Sequence, residues 1–236
     1  GATGDPLKWG GWVTKSFADT QHLRDTHFVS LRGGELYGLP VATSIPAVDA
    51  AIDLAVIVVP AAGVPAAVTE SLALGAKGLV VITSGFGETS AEGAAVQAAI
   101  VDEVRAAGAV LLGPNCLGLY DDATNLNVYG GTFPSGDLAF ATQSGNLALE
   151  VALLLEHQGL GLTRFASVGN QADLTVGDVI RDFAHHGPSR VIGAYVESPR
   201  DGEAFADAVR EAAALKPVVL FAAGRTAAGA HAAASH

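Results

Sequence analysis

Short apolar runs recur along this chain, each followed by a turn of small residues and then by a stretch with helical spacing. Asp53 to Pro60 (DLAVIVVP) is wholly apolar between its end residues, the pattern of a strand buried on both faces. A helix is predicted over Val64–Leu74, then a strand over Gly78–Thr83 that runs into the glycine-rich turn SGFGE. An alanine-rich helix over Ala91–Ala107 follows, stopped by Gly108, and a third strand over Ala109–Leu112 leads into GPNC. Upstream, two glycine-bearing segments, Gly1 to Gly4 and Lys8 to Gly11, precede a helical pattern from Trp12 to Ala18. Between Leu117 and Asp137 the period lapses, and YDDATNLNVYGGTFPSGD is the expected domain boundary, giving units at 1–125 and 135–236. Alternation then resumes. Strands are predicted over Leu138–Thr142, Arg164–Val168, Val191–Val196 and Val218–Ala222, with helices over Asn146–Gln158, Val176–Ala184 and Gly202–Leu215. Strands alternating with helices predict two parallel α/β units in tandem.

Composition narrows the function. Half of the 236 residues are apolar and 16% are charged, which suits a packed globular chain. The net charge is −11 with no basic cluster, so neither a nucleic-acid backbone nor an anionic membrane is an expected partner. Any phosphate must be held locally. Cys116 is the single cysteine, so no internal disulfide forms and a reducing, cytoplasmic setting is expected. No apolar run reaches the ~18 residues of a membrane span. The chain has no methionine, where average usage of roughly 2% would give about five, and ends inside the Gly/Ala-rich stretch GRTAAGAHAAASH. The expectation is a portion of a longer protein.

The candidate chemistry lies at the ends of the strands, where ligands bind in an open parallel sheet. In the first turn, Thr3, Gly4, Lys8 and Gly10 stand before a helix start, which offers free N–H groups and positive potential to a phosphate; a plain tight turn is the alternative, since the spacing is not GxGxxG. Arg32, in Leu31-Arg32-Gly33-Gly34, stands where a second strand would end and suggests a phosphorylated ribose. Val59-Pro60, Thr83-Ser84-Gly85 and Gly113-Pro114-Asn115-Cys116 end the next three strands with residues small enough to admit an extended ligand. Cys116 has no activating base nearby in sequence and is expected as a contact, not a nucleophile.

In the second unit, Gln143-Ser144-Gly145-Asn146 delivers a hydroxyl and several N–H groups to a helix start, a phosphate site unless Ser144 merely caps its helix. A second polar turn, Gly169 to Asp173, follows the next strand, where Asp173 could serve as an N-cap. Glu197 ends the strand VIGAYV at the same edge. Its carboxylate could accept from one ring nitrogen of His236 and fix the tautomer whose other nitrogen attacks phosphorus. His22, His27, His157, His185 and His186 show no partner pattern, and no Cys/His spacing suits a metal.

Taken together, GATGDPLKWGG, LRGGELYGLP, VIVVPAAGVP, ITSGFGE, LLGPNCLGLY, FATQSGNLALE, SVGNQADL, AYVESPRDG and AAGRTAAGAHAAASH resemble the NDP-forming acyl-CoA synthetases, which include the α part of succinyl-CoA synthetase. The resemblance implies an α/β chain with a Rossmann-like CoA-binding domain followed by a flavodoxin-like ligase domain. It implies a CoA site at Thr3, Gly4, Lys8, Arg32, Pro60, Gly85 and Asn115, with Gly10, Val59, Ser84 and Cys116 beside them. His236 matches the family's phosphorylated histidine, His231 stands where arginine is common, and Glu197 matches the orienting carboxylate. Ser144, Gly145 and Asn146 match the helix start that holds the phosphoryl group, and Gly169 and Asn170 in the next polar turn are expected to bind phosphate beside it. The family's first strand would precede Gly1. ADP or ATP with Mg2+ would enter through an ATP-grasp domain or subunit, so a homo- or hetero-oligomer is expected, with CoA, acyl-CoA and phosphate as small-molecule partners. The rival reading is a CoA- or acyl-CoA-sensing module without turnover, as in chains fused to a protein acetyltransferase. A nicotinamide-dependent dehydrogenase is disfavoured by the missing GxGxxG and by Arg32 in place of an acidic ribose ligand.

Overall fold

A computed structural model describes residues 1–223 of the chain. The first unit runs α1 (Trp9–Asp19), β1 (Phe28–Val29), β2 (Glu35–Leu36), β3 (Leu39–Ala42), β4 (Leu54–Ile57), α2 (Val64–Ala73), β5 (Gly78–Val81), α3 (Ala91–Ala106) and β6 (Val110–Leu112). Strands β4, β5 and β6 are parallel neighbours in that order, and Ile57, Leu79, Val81 and Leu111 pack against Val68 of α2 and Ile100 and Val104 of α3. These are the apolar runs read from the sequence, buried as a strand covered on both faces requires. β1 pairs in parallel with β3, which forms a tight antiparallel pair with β2.

Between β1 and β4 the two sheets are not joined. A cavity of about 570 Å³ opens there, lined by Phe28 and Val29 on one side and by Leu54 to Val59 on the other. Gly1 and Ala2 bridge it at one end, the Gly1 nitrogen donating to the Val58 carbonyl and the Ala2 amide to the Val29 carbonyl.

The second unit comprises β7 (Gly118–Asp121), β8 (Leu126–Asn127), β9 (Ser135–Thr142), α4 (Gly145–Gln158), β10 (Leu162–Ser167), α5 (Val176–His185), β11 (Val191–Val196), α6 (Gly202–Ala213) and β12 (Val218–Ala222). The sheet order is β12-β11-β9-β10-β7-β8, with the first four strands parallel and β7 and β8 antiparallel. The stretch expected as a boundary thus contributes two strands to the second sheet. They are too short and too rich in Gly, Asn and Asp to show a period of two. The chain crosses from one side of β9 to the other after β10, so the crevice beyond β9 and β11 is a topological switch point, where open α/β sheets bind ligands.

The units share a core. One apolar cluster runs from Val80, Leu112 and Cys116 into Val176, Ile180 and Ile192. Among the described residues, no helix is long and apolar enough to cross a membrane.

Candidate active site

The loop before α1 folds back on the helix. The Thr3 hydroxyl accepts from the Asp5 amide at 3.2 Å, and the Thr3 amide donates to Thr14 Oγ1 at 3.3 Å. A Cβ at Gly10 would lie 2.9 Å from the Gly1 carbonyl oxygen, and one at Gly11 would lie 1.9 Å from that of Asp5. These glycines therefore admit the chain's own loop, while Gly4, outside the helix, is exposed. Lys8 occupies the N-cap position of α1 with no capping bond and an exposed 3.6 Å ion pair to Asp5. Arg32, on the turn after β1, is exposed and forms no ion pair among the described residues.

Three strand-end turns are tied side by side. Thr83 Oγ1 donates to the Val59 carbonyl at 2.7 Å, and the Asn115 amide donates to the Thr83 carbonyl at 2.9 Å. Pro60, Ser84 and Gly85 are exposed along this edge, with Gly85 at φ +106°. Cys116 faces the other way. Its thiol donates to the Val81 carbonyl at 3.3 Å, and burial pushes its pKa up to about 12, so the side chain is held inside the core as a protonated thiol.

At the switch point, Ser144 is the N-cap residue of α4, yet its side chain makes no capping bond and the first turn carries no acid. Thr142 Oγ1 instead donates to the Ser144 carbonyl at 2.8 Å and accepts from the Ser144 amide at 3.1 Å. The start of α4, with Gly145 and Asn146, is left with N–H groups that its own cap does not satisfy. Glu197, half-buried at the end of β11, accepts from the Tyr195 hydroxyl; burial first, and then this neighbouring carboxylate, raise the tyrosine's pKa.

The two units meet backbone to backbone beside these turns. Gly169 is at φ +56°, and a Cβ there would lie 2.3 Å from the Asn115 carbonyl oxygen and 2.4 Å from that of Pro114. The Asn170 amide donates to Pro114 at 3.0 Å and the Ala172 amide to Gly113 at 3.3 Å. The Asn170 side chain is fully engaged across the junction. Its Nδ2 donates to Glu88 Oε2 at 2.5 Å and to Gln97 Oε1 at 2.9 Å, and its Oδ1 accepts from Asn115 Nδ2 at 3.2 Å. Its backbone N–H and both side-chain N–H groups are thus engaged within the protein, so this arrangement leaves Asn170, expected from the sequence as a phosphate ligand, without a free donor. Asp173 does not cap α5, whose cap is Thr175; it accepts from Arg105 Nε at 2.7 Å and from the Leu111 amide at 2.9 Å. His236 and His231 lie outside the described residues.

Residues 1–122 match the family described as CoA binding domain, and residues 135–236 match the succinyl-CoA ligase like flavodoxin domain. The α subunit of ADP-forming acetate–CoA ligase II from Pyrococcus furiosus is 35% identical over 240 residues, covering 100% of this chain and 52% of that one. The α subunit 2 of ADP-forming succinate–CoA ligase from Archaeoglobus fulgidus is 31% identical, covering 83% of this chain and 68% of that one. The chain belongs to the NDP-forming acyl-CoA synthetase family. Among solved structures, the dinucleotide forming acetyl-coenzyme A synthetase 1 of Ca. Korarchaeum cryptofilum, in its apo form, superposes with a TM-score of 0.92 at 31% identity, covering 100% of this chain and 52% of that one. The chain spans about half the length of these acetate-ligase relatives.

The strand-end turns stand where the sequence pattern predicts turns, but the side chains that hold them were not foreseen. Glu88 accepts from the Gly85 and Phe86 amides as well as from Asn170. Partial burial pushes its pKa up, but these amide donors outweigh that and hold it below the ordinary glutamate range. The motif SGFGE carries the signal, a carboxylate three residues beyond the first glycine of the turn, without revealing its partner.

Proposed function

We propose that this chain is the CoA-binding and phosphohistidine-bearing part of an NDP-forming acyl-CoA synthetase, which interconverts acyl-CoA, ADP and phosphate with a carboxylic acid, CoA and ATP. The observation that carries the reading is the uncapped start of α4 at the switch point, beside the Glu197 turn, in a chain of this family. The helix start attracts a dianion through its N–H groups and dipole. Phosphate held there attacks the thioester carbonyl and expels the CoA thiolate, leaving an acyl phosphate. A ring nitrogen of His236 then attacks phosphorus and releases the carboxylate. Glu197 accepts from the other ring nitrogen and stabilises the cationic ring, as a triad carboxylate does. The phosphoryl group passes to ADP in an ATP-grasp domain or subunit, which supplies the nucleotide and Mg2+ sites.

CoA lies along the turns at Thr3, Gly4, Lys8, Pro60, Ser84, Gly85 and Asn115, with Arg32 pairing with the ribose 3′-phosphate. The exposed guanidinium of Arg32, engaged by no carboxylate among the described residues, supports that role. Calorimetry tests it: wild type should bind CoA more tightly than dephospho-CoA by ~1.5 to 3 kcal/mol, and Arg32→Ala should erase the difference. Equal affinities in the wild type would refute the assignment.

The full-length protein, given acetyl-CoA and radiolabelled phosphate, should take up a base-stable, acid-labile label. His236→Asn should abolish the label with CoA affinity unchanged, and His231→Asn should retain it. Label surviving in His236→Asn would move the nucleophile elsewhere. CoA binding without any label in the wild type would favour the sensing module.

A further inference from the structure

Two glutamines are sealed into the switch point. Gln143, 2% exposed, directly follows β9, and Gln171, 3% exposed, lies in the turn after β10. Neither side chain was assigned a ligand contact above. Gln143 Oε1 accepts from the amides of both Glu197 and Ser198, each at 3.0 Å, while its backbone N–H donates to the Tyr195 carbonyl at 3.1 Å. Gln171 Nε2 donates to the Ser198 carbonyl at 3.1 Å, and its Oε1 accepts from the Val176 amide at 3.1 Å. Three successive backbone groups of the Glu197 turn are therefore gripped by two side chains. The guanidinium of Arg200 closes the same turn from its far end, on the Gln171 and Ala172 carbonyls.

Buried side-chain amides hydrogen-bonded to the backbone in this way fix one arrangement of the turn they hold. Gln171 adds a second mark, since it is a non-glycine residue held at φ +52°. Each glutamine belongs to one of the two turns expected to hold phosphate, 143–146 and 169–173. Through them the carboxylate-bearing turn is registered against both.

We propose that Gln143 and Gln171 are positioning residues that fix the backbone of Glu197 and Ser198, and so aim the Glu197 carboxylate at the histidine that accepts the phosphoryl group. This rests on the phosphohistidine reading above. Gln143→Met removes the acceptor at similar volume, and Gln171→Met removes the second grip.

The test measures initial rates of histidine labelling in the full-length protein with acetyl-CoA and radiolabelled phosphate, alongside CoA affinity and amide exchange at Glu197 and Ser198. Gln143→Met should lower the labelling rate at least tenfold, raise exchange at those two amides and leave CoA affinity within twofold; Gln171→Met should do the same to a smaller degree, and serves where the first variant fails to fold. The decisive arm is the Glu197→Ala background. There, Gln143→Met should cost nothing further, because its effect passes through Glu197. An equal additional loss on that background, or labelling unchanged while exchange rises, overturns the positioning role and leaves the phosphohistidine reading standing. A wild type that takes no label overturns both.

Discussion

Helices α4 and α5 start a few residues beyond neighbouring strands of one sheet, yet they begin in opposite ways. At α5, Thr175 and Asp178 form a reciprocal capping box, with the Asp178 amide on Thr175 Oγ1 at 3.2 Å and the Thr175 amide on the Asp178 carboxylate at 2.9 Å. α6 is closed similarly by Asp201, and α3 by Ser90 with Glu92 in its first turn. At α4 and α1 the cap residue makes no side-chain bond and no acid stands in the first turn. A carboxylate at a helix start satisfies its orphan donors and repels a second anion; a start left without one keeps its donors and dipole for a ligand. Those two starts are among the turns the family resemblance assigns to the phosphoryl group and to CoA.

The largest expected effect comes from the turn that lies between the two helices. Gly169→Ala forces a left-handed alanine against the Asn115 and Pro114 carbonyls and should cost about 3 kcal/mol in denaturant unfolding. A loss under ~1 kcal/mol would show that the junction yields easily. Next is the closed start itself: Thr175→Ala removes one half of the capping box and should cost ~1 kcal/mol. Ser144→Ala should change stability by less than ~0.5 kcal/mol, since Ser144 makes no capping bond. Equal losses at the two positions would erase the distinction between the helix starts.

A smaller effect is set by pH. The folded pKa of Glu88 is depressed, so its contribution is present above the unfolded glutamate pKa and is lost as pH falls through the folded value. The stability difference between wild type and Glu88→Gln should therefore be constant near neutrality and shrink below about pH 4. A difference that grows on acidification would contradict the amide clasp at Gly85 and Phe86.

The strand bounds of β11 and β12 are those read from the sequence, Val191–Val196 and Val218–Ala222, because each is an uninterrupted apolar run; β11 is buried between neighbours, whereas β12 ends the sheet among the described residues and is largely exposed. α1 begins at Trp9 rather than Trp12. Gly10 and Gly11 looked like turn residues, and they are helical because the loop from Gly1 to Asp5 needs their missing side chains. The turns of the site were legible for the same local reason, since each follows a strand that announces itself. Their fastening was not. Asn170 meets Glu88 across 82 residues, a pairing that exists only once both units have folded, and Gln143 meets Glu197 across 54, once β9 and β11 lie side by side.

Amide exchange at the two helix starts, compared between the unlabelled full-length protein and the protein phosphorylated with acetyl-CoA and phosphate, tests the account most directly. Phosphorylation should protect the amides of Gly145, Asn146 and Leu147 and leave those of Val176, Gly177 and Asp178 unchanged. Protection at the start of α5, or at neither start, would contradict it.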